Sequence, residues 1–192
     1  MAHYSGYVVV PTDSFESFKN AVNGNSYDVD GVAGCQCVDL SKLINWNLGF
    51  PSPYYSTGGT GYAWGGWTVS SARDFNAGSE YTLVTSVQDI KKGDMIVMDA
   101  TSSNPAGHVT FANEDYNGTS FLSCLGQNQG GVPAPGGGTT VNIANLGLGQ
   151  FLGAFRLKKW QPGPGPTPTT TQKRFPWVLY ANRLRQKRTP QA

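Results

Sequence analysis

The sequence predicts an α+β fold in which N-terminal helices pack on an antiparallel sheet. Three observations predict it. Helical patterning is concentrated in the first fifty residues. Short apolar runs separated by turn signals follow from residue 94 onward. Helices first and strands later is the α+β order, not the alternation of a parallel α/β fold. The 192 residues suffice for one ordinary domain with a core, and no internal repeat is visible.

Each element has a local cause. Asp13 and Ser14 are capping residues for a short helix that runs to Val22. A second helix is predicted from about Cys37 to Asn47, because Leu40, Leu43, Ile44 and Leu48 recur at helical spacing and form one stripe. Residues 49–80 are rich in Gly, Ser, Thr, Tyr and Trp and read mostly as loop. Strands are predicted at Asp94–Asp99 (DMIVMD), His108–Ala112 (HVTFA), Ser120–Leu125 (SFLSCL) and Leu152–Leu157 (LGAFRL). The stretch Gln161–Gln172 (QPGPGPTPTTTQ) has the composition of an extended linker. It divides a body, 1–160, from a tail, 173–192.

Charge follows that division. Through residue 172 there are eight Lys and Arg against twelve Asp and Glu, whereas the tail has six basic residues and no acid. The body is mildly acidic, and no nucleic-acid partner is expected. The tail interleaves its charges with Phe175, Trp177, Leu179 and Tyr180, a pattern suited to an anionic wall polymer, a membrane surface or an acidic patch on a virion protein. No apolar run approaches the roughly 20 residues needed to span a membrane. Residues 1–10 lack the basic lead and apolar stretch of a secretory signal, so none is expected.

Three cysteines, Cys35, Cys37 and Cys124, do not suggest a disulfide framework. Structural zinc is disfavoured by the one-residue spacing of Cys35 and Cys37 and by the want of a fourth ligand. Cys37 falls at the predicted start of the second helix, where free N–H groups and the positive dipole end favour a thiolate. Burial as a small hydrophobe is the other reading. A nucleophilic thiol needs an imidazole, and the chain has only His3 and His108. His3 lies at the terminus, which leaves His108, at the start of a strand after the turn Asn104–Gly107. Asn128 is placed to orient the imidazole if strands 108–112 and 120–125 are neighbours. Glu114 and Asp115 would point to solvent from a hairpin.

GCQCVDL (34–40), KKGDMIVM (91–98), GHVTFA (107–112) and GQNQ (126–129), in that order, resemble the cysteine, histidine-dependent amidohydrolase/peptidase (CHAP) family of phage lysins. The resemblance covers about residues 25–160. It implies a papain-like fold, with Cys37 as nucleophile, His108 as general base and Asn128 as the polar third residue. Some phage members have Glu two positions before that Asn, where this chain has Gly126. The implied substrate is bacterial peptidoglycan, cleaved at the muramoyl–alanine amide or at a peptide bond. The implied setting is a phage endolysin held in the host cytoplasm before release to the wall. A virion-associated wall hydrolase anchored by its tail, or a non-catalytic wall-binding module, are the alternatives. Retention of both Cys37 and His108 disfavours the last.

DVDGVAGCQCVD (28–39) invites a separate reading. Asp28, Asp30 and Asp39 stand at positions one, three and twelve of a twelve-residue stretch, with the carbonyls of Val32 and Gly34 at five and seven. An ordinary acidic turn, with Asp39 favoured by the helix dipole, is the plainer reading. The resembled family includes phage members with calcium on a similar DxDG stretch, which implies a structural Ca2+ here and no organic cofactor. Tyr62, Trp64 and Trp67 (GYAWGGW) are candidates to line the substrate groove, with core packing beneath a loop as the equal alternative.

Overall fold

The computed structural model describes residues 1–50 and 55–161. Most of the linker 161–172 and the whole tail 173–192 lie outside the described residues.

A three-residue strand, β1 (His3–Ser5), opens the chain. Helix α1 (Phe15–Val22) follows, capped reciprocally by Ser14 and Ser17. Strand β2 (Ser26–Asp28) pairs in parallel with β1. Helix α2 (Cys37–Asn47) starts where Asp39, in its first turn, accepts from the N–H of Gln36 at 2.8 Å. Leu40, Leu43 and Ile44 are fully buried, so the predicted stripe is the packing face.

Residues 49–80 depart from the loop reading. They contain α3 (Gly65–Thr68) and α4 (Ser70–Ala77). Neither has an apolar stripe, which is why periodicity does not reveal them. A polar clamp holds α4 instead. The buried Asn76 amide accepts from Ser56 N–H at 2.7 Å and donates to the carbonyls of Ser56 and Gly66.

The strands that follow are β3 (Tyr81–Val84), β4 (Met95–Met98), β5 (His108–Ala112), β6 (Phe121–Gly126), β7 (Asn142–Gly147) and β8 (Phe151–Leu157). They form one antiparallel sheet in the order β3-β8-β4-β5-β6-β7. The two strands with no sequence signal, β3 and β7, are its edges. There the pairing backbone, not burial of a full face, sets the conformation. Helix α2 packs over β5. Met95, Val97, Val109, Phe111 and Phe155 pack with the buried residues of α1 and α2, and Ile96, Met98, Cys124 and Ala154 form a second cluster. With both faces of β4 covered, MIVM is apolar throughout.

One buried ion pair secures the turn before β4. Asp94, fully buried, accepts from Arg156 Nε at 2.9 Å and Nη2 at 2.8 Å, and from the Lys91 N–H at 2.8 Å. Asp94→Ala should strand the guanidinium and cost about 3 kcal/mol, the low end for breaking a buried pair. Arg156 itself keeps 21% side-chain exposure, which softens the loss. Thermal unfolding should show a drop of about 6–12 °C. A drop under 2 °C would assign the pair no structural weight.

Candidate active site

Cys37 is the first residue of α2, and His108 the first of β5. Packing of α2 on β5 brings the thiol and the imidazole close enough for each to shift the other's titration. Burial alone would raise the Cys37 pKa. The hydrogen bond and charge of His108, with backbone bonds from Val109 and Val38, outweigh it and hold the thiol below its ordinary value. Burial alone would lower the His108 pKa. The bond and charge of Cys37, then the bond to Gln129, outweigh that and hold the imidazole above its ordinary value. Both shifts favour thiolate and imidazolium. Cys37 is buried, and of the two residues it is His108 that borders the groove. As the first residue of α2 it also offers a main-chain N–H with no partner inside the helix.

The other two cysteines are buried apart from this pair. Burial raises both Cys124, to about 12, and Cys35. Cys35 has its sulfur 3.7 Å from His3 Nδ1.

The third residue is a correction. β5 and β6 are neighbours as expected, but Asn128 does not hold the imidazole. Its φ of 60° turns the side chain out, and Nδ2 donates to Gln36 Oε1 at 3.0 Å. The partner of His108 Nε2 is Gln129 Oε1, at 3.1 Å. No local sequence signal ranks Gln129 above Asn128; in the folded chain Thr110, two residues from His108 and on the same face of β5, donates to the same oxygen at 2.9 Å. Glu114 accepts from Ser123 N–H and Asp115 binds Lys91 and Lys92, both away from the site.

A groove of about 360 Å³ opens at His108, with Met98, Asp99, Thr101 and Asn128 among its other walls. A larger hollow, about 520 Å³, lies between the ends of α2 and α4. It has no thiol or histidine among its lining residues, and its one hydroxyl, Ser79, donates to Glu80 with no imidazole beside it, so the thiol chemistry is sought at His108.

The three aromatic candidates separate. Trp64 is half-buried, donates Nε1–H to Pro105 O at 3.1 Å, and braces the turn before His108. Tyr62 is 45% exposed, with its ring centroid 6.0 Å from that of Trp64. Trp67 does not line the groove. It is buried in the core, edge-on to Phe155 at 5.2 Å. Tyr55, which sequence reasoning passed over, is buried close to Cys37 and donates to Ala63 O at 2.9 Å. Burial, then the thiolate charge, push its hydroxyl well above the ordinary range.

Asp28, Asp30 and Asp39 offer one oxygen each within 4.8 Å of one another. Asp28 Oδ1 is buried and has no hydrogen-bond partner. Asp39 is fully buried, and that burial pushes its carboxyl up to about 6. Its two oxygens accept from Val29 and Gln36 N–H. Asp30 accepts from Val32 N–H at 3.0 Å and pairs with the Lys42 ammonium. Val32 thus meets the cluster through its N–H. Gly34 lies against Gly136 and Gly137, where a Cβ would overlap the Gly136 carbonyl.

No protein-family model matches the chain. The D-alanyl-L-alanine endopeptidase of Streptococcus phage B30 is 34% identical over 120 residues, or 62% of this chain. The chain spans about a quarter of that relative's length, 25%. Among solved structures, the endolysin LysIME-EF1 aligns with a TM-score of 0.58 at 21% identity, over 75% of this chain and 64% of that one. The mixed fold of helices on an antiparallel sheet is therefore one found in an endolysin. No helix among the described residues is long and apolar enough to cross a membrane.

Proposed function

We propose that the chain is a peptidoglycan hydrolase of the phage endolysin type, with a papain-like CHAP fold and a Cys–His mechanism. The observation that carries the reading is the Cys37–His108 pair, formed by a helix start and a strand start. The likeness to a phage endopeptidase and to an endolysin supports the substrate class.

The chemistry follows from the arrangement. The Cys37 thiolate attacks an amide carbonyl of the wall. The N–H of Cys37 at the start of α2 is placed to stabilise the oxyanion. The His108 imidazolium gives its proton to the leaving amine, and a thioester remains. His108, now neutral, takes a proton from water as the water attacks, and the acid is released. The matched relative's name favours a peptide bond over the muramoyl–alanine amide. Mass spectrometry of purified peptidoglycan after digestion, beside a Cys37→Ala control, decides it. New alanine N-termini support an endopeptidase, and free lactyl ends with intact stem peptides support an amidase. Digests identical to the control reject hydrolysis.

Within this reading the acidic loop holds calcium through Asp28, Asp30 and Asp39. The unpartnered Asp28 oxygen and the converging carboxylates fit a hard cation. The ion would supply structural rigidity to the loop that presents Cys37, and Lys42 would yield Asp30 to it. Calcium at a hundredfold excess over its Kd should stabilise the fold by about 2.7 kcal/mol, and Asp28→Asn should remove that gain. Melting curves that coincide with and without calcium would leave an acidic turn held by Lys42.

A further inference from the structure

We propose that Gln129 positions His108, as a neutral amide locked in one orientation within space that glycine leaves open at position 126. This rests on the Cys37–His108 reading and adds a residue to it.

The orientation of the amide is forced by its surroundings. The two Nε2 hydrogens of Gln129 go to main-chain carbonyls, Cys124 O at 2.9 Å and Asn142 O at 3.0 Å. Carbonyls only accept, so a flipped amide would set its oxygen against both of them. The Oε1 atom must therefore face His108 Nε2, 3.1 Å away. An oxygen that only accepts needs a hydrogen on Nε2. The neutral imidazole is thereby held as the Nε2–H tautomer, and Nδ1 is left to face the thiol. That is the arrangement a Cys–His base requires. The Thr110 hydroxyl, 2.9 Å from both Oε1 and Leu125 O, has one hydrogen to share between them.

Gly126 makes the room. A Cβ at this position would stand 2.3 Å from Gln129 Oε1 and 2.8 Å from its Cδ. Any side chain at 126 would evict the amide. Glycine at the end of β6 and glutamine three residues on are thus one device, in which the acceptor comes from 129 because 126 carries nothing. Asn128, between them, turns the other way.

The device adds no charge. Among the described residues, the charged or titratable groups beside His108 are Cys37 from α2 and Asp99, which lines the same groove after β4. Asn128 and Thr101 on the groove walls are neutral. The thiolate is then the close counter-charge of the imidazolium. Its bond to Gln129 still favours the charged form, so loss of that bond should lower the pH at which imidazolium deprotonates.

The test reads the ring directly. The chain has two histidines, so nitrogen-15 NMR of the imidazoles gives two sets of signals. In Cys37→Ala protein, above the imidazole titration, His108 should carry its hydrogen on Nε2. Adding Gln129→Ala or Gly126→Ala should relax it to a tautomer mixture, and adding Asn128→Ala should not. Gly126→Ala is the control for folding, because it keeps Gln129 and its φ is one that alanine adopts. With Cys37 present, Gln129→Ala and Gly126→Ala should each lower kcat on a soluble wall fragment about 10²-fold. KM should change less than threefold, and the alkaline limb of the pH profile should move to lower pH. Hydrogen on Nδ1 in the parent, or an unmoved tautomer and alkaline limb in both variants, would overturn the role of Gln129. Full activity in Cys37→Ala would instead overturn the underlying Cys–His reading.

Discussion

Cys37→Ala should abolish wall lysis, with at least about a 10⁴-fold loss in kcat, as removal of a covalent nucleophile does. His108→Ala should fall nearly as far, because the two act as a unit and the second loss adds little to the first. Neither change should disturb the fold much, since Cys37→Ala deletes a single buried sulfur at the start of α2 and His108, half-buried at the start of β5, borders the groove. Melting temperature is the control. The parent should show a bell-shaped pH profile whose sign follows from the pair. Activity appears as pH rises through the Cys37 value, which His108 holds low, and is lost as pH rises through the His108 value, which Cys37 holds high. The pairing thus widens the active window at both ends. Cys35→Ser and Cys124→Ser should retain the profile, since burial keeps both thiols protonated. Lysis by Cys37→Ala at the parent's rate would end the assignment.

Trp67→Ala should be the most destabilising of the substitutions considered, at about 3–5 kcal/mol. The ring fills the junction between α3 and β8. It meets Phe155 edge-on at 5.2 Å, and a Cβ on Gly153 would stand 2.0 Å from it. No smaller side chain fills that space, and Gly153 has nothing to move into it. At about 2–4 °C per kcal/mol, the melting temperature should fall by about 6–20 °C. Trp64→Ala makes the contrast. That ring is half-exposed beside the turn before His108, so its loss should spare the melting temperature and raise KM. Differential scanning calorimetry of the two variants separates them. A stable Trp67→Ala with a raised KM would return Trp67 to the groove wall.

The site was legible where local rules govern it. Ser14 and the stripe of Leu40, Leu43 and Ile44 define their helices within a few residues. A helix whose periodicity starts at Cys37 puts that residue at the dipole end whatever packs against it. The run from His108 to Ala112 is a strand by its own composition, and two histidines in the whole chain leave little choice of base. The acidic stretch 28–39 is likewise visible as a string of residues. What local rules do not govern, the sequence did not give up. β3 buries only Tyr81 and Val84 at its ends and β7 buries no residue fully, so neither shows a strong apolar pattern, and α4 is held by Asn76 rather than by an apolar stripe. Trp67 and Trp64 stand three residues apart in one Gly-rich segment, yet one is core and the other is not. Trp67 is buried by β8, some ninety residues further along, and Trp64 is placed by the turn at Pro105–Gly107. The partner of His108 was decided the same way. Asn128 and Gln129 are adjacent amides, and composition cannot rank them. A left-handed φ at Asn128 and two carbonyls, Cys124 O and Asn142 O, aim one outward and the other at the imidazole. Those carbonyls belong to two strands whose register exists only once the sheet has formed.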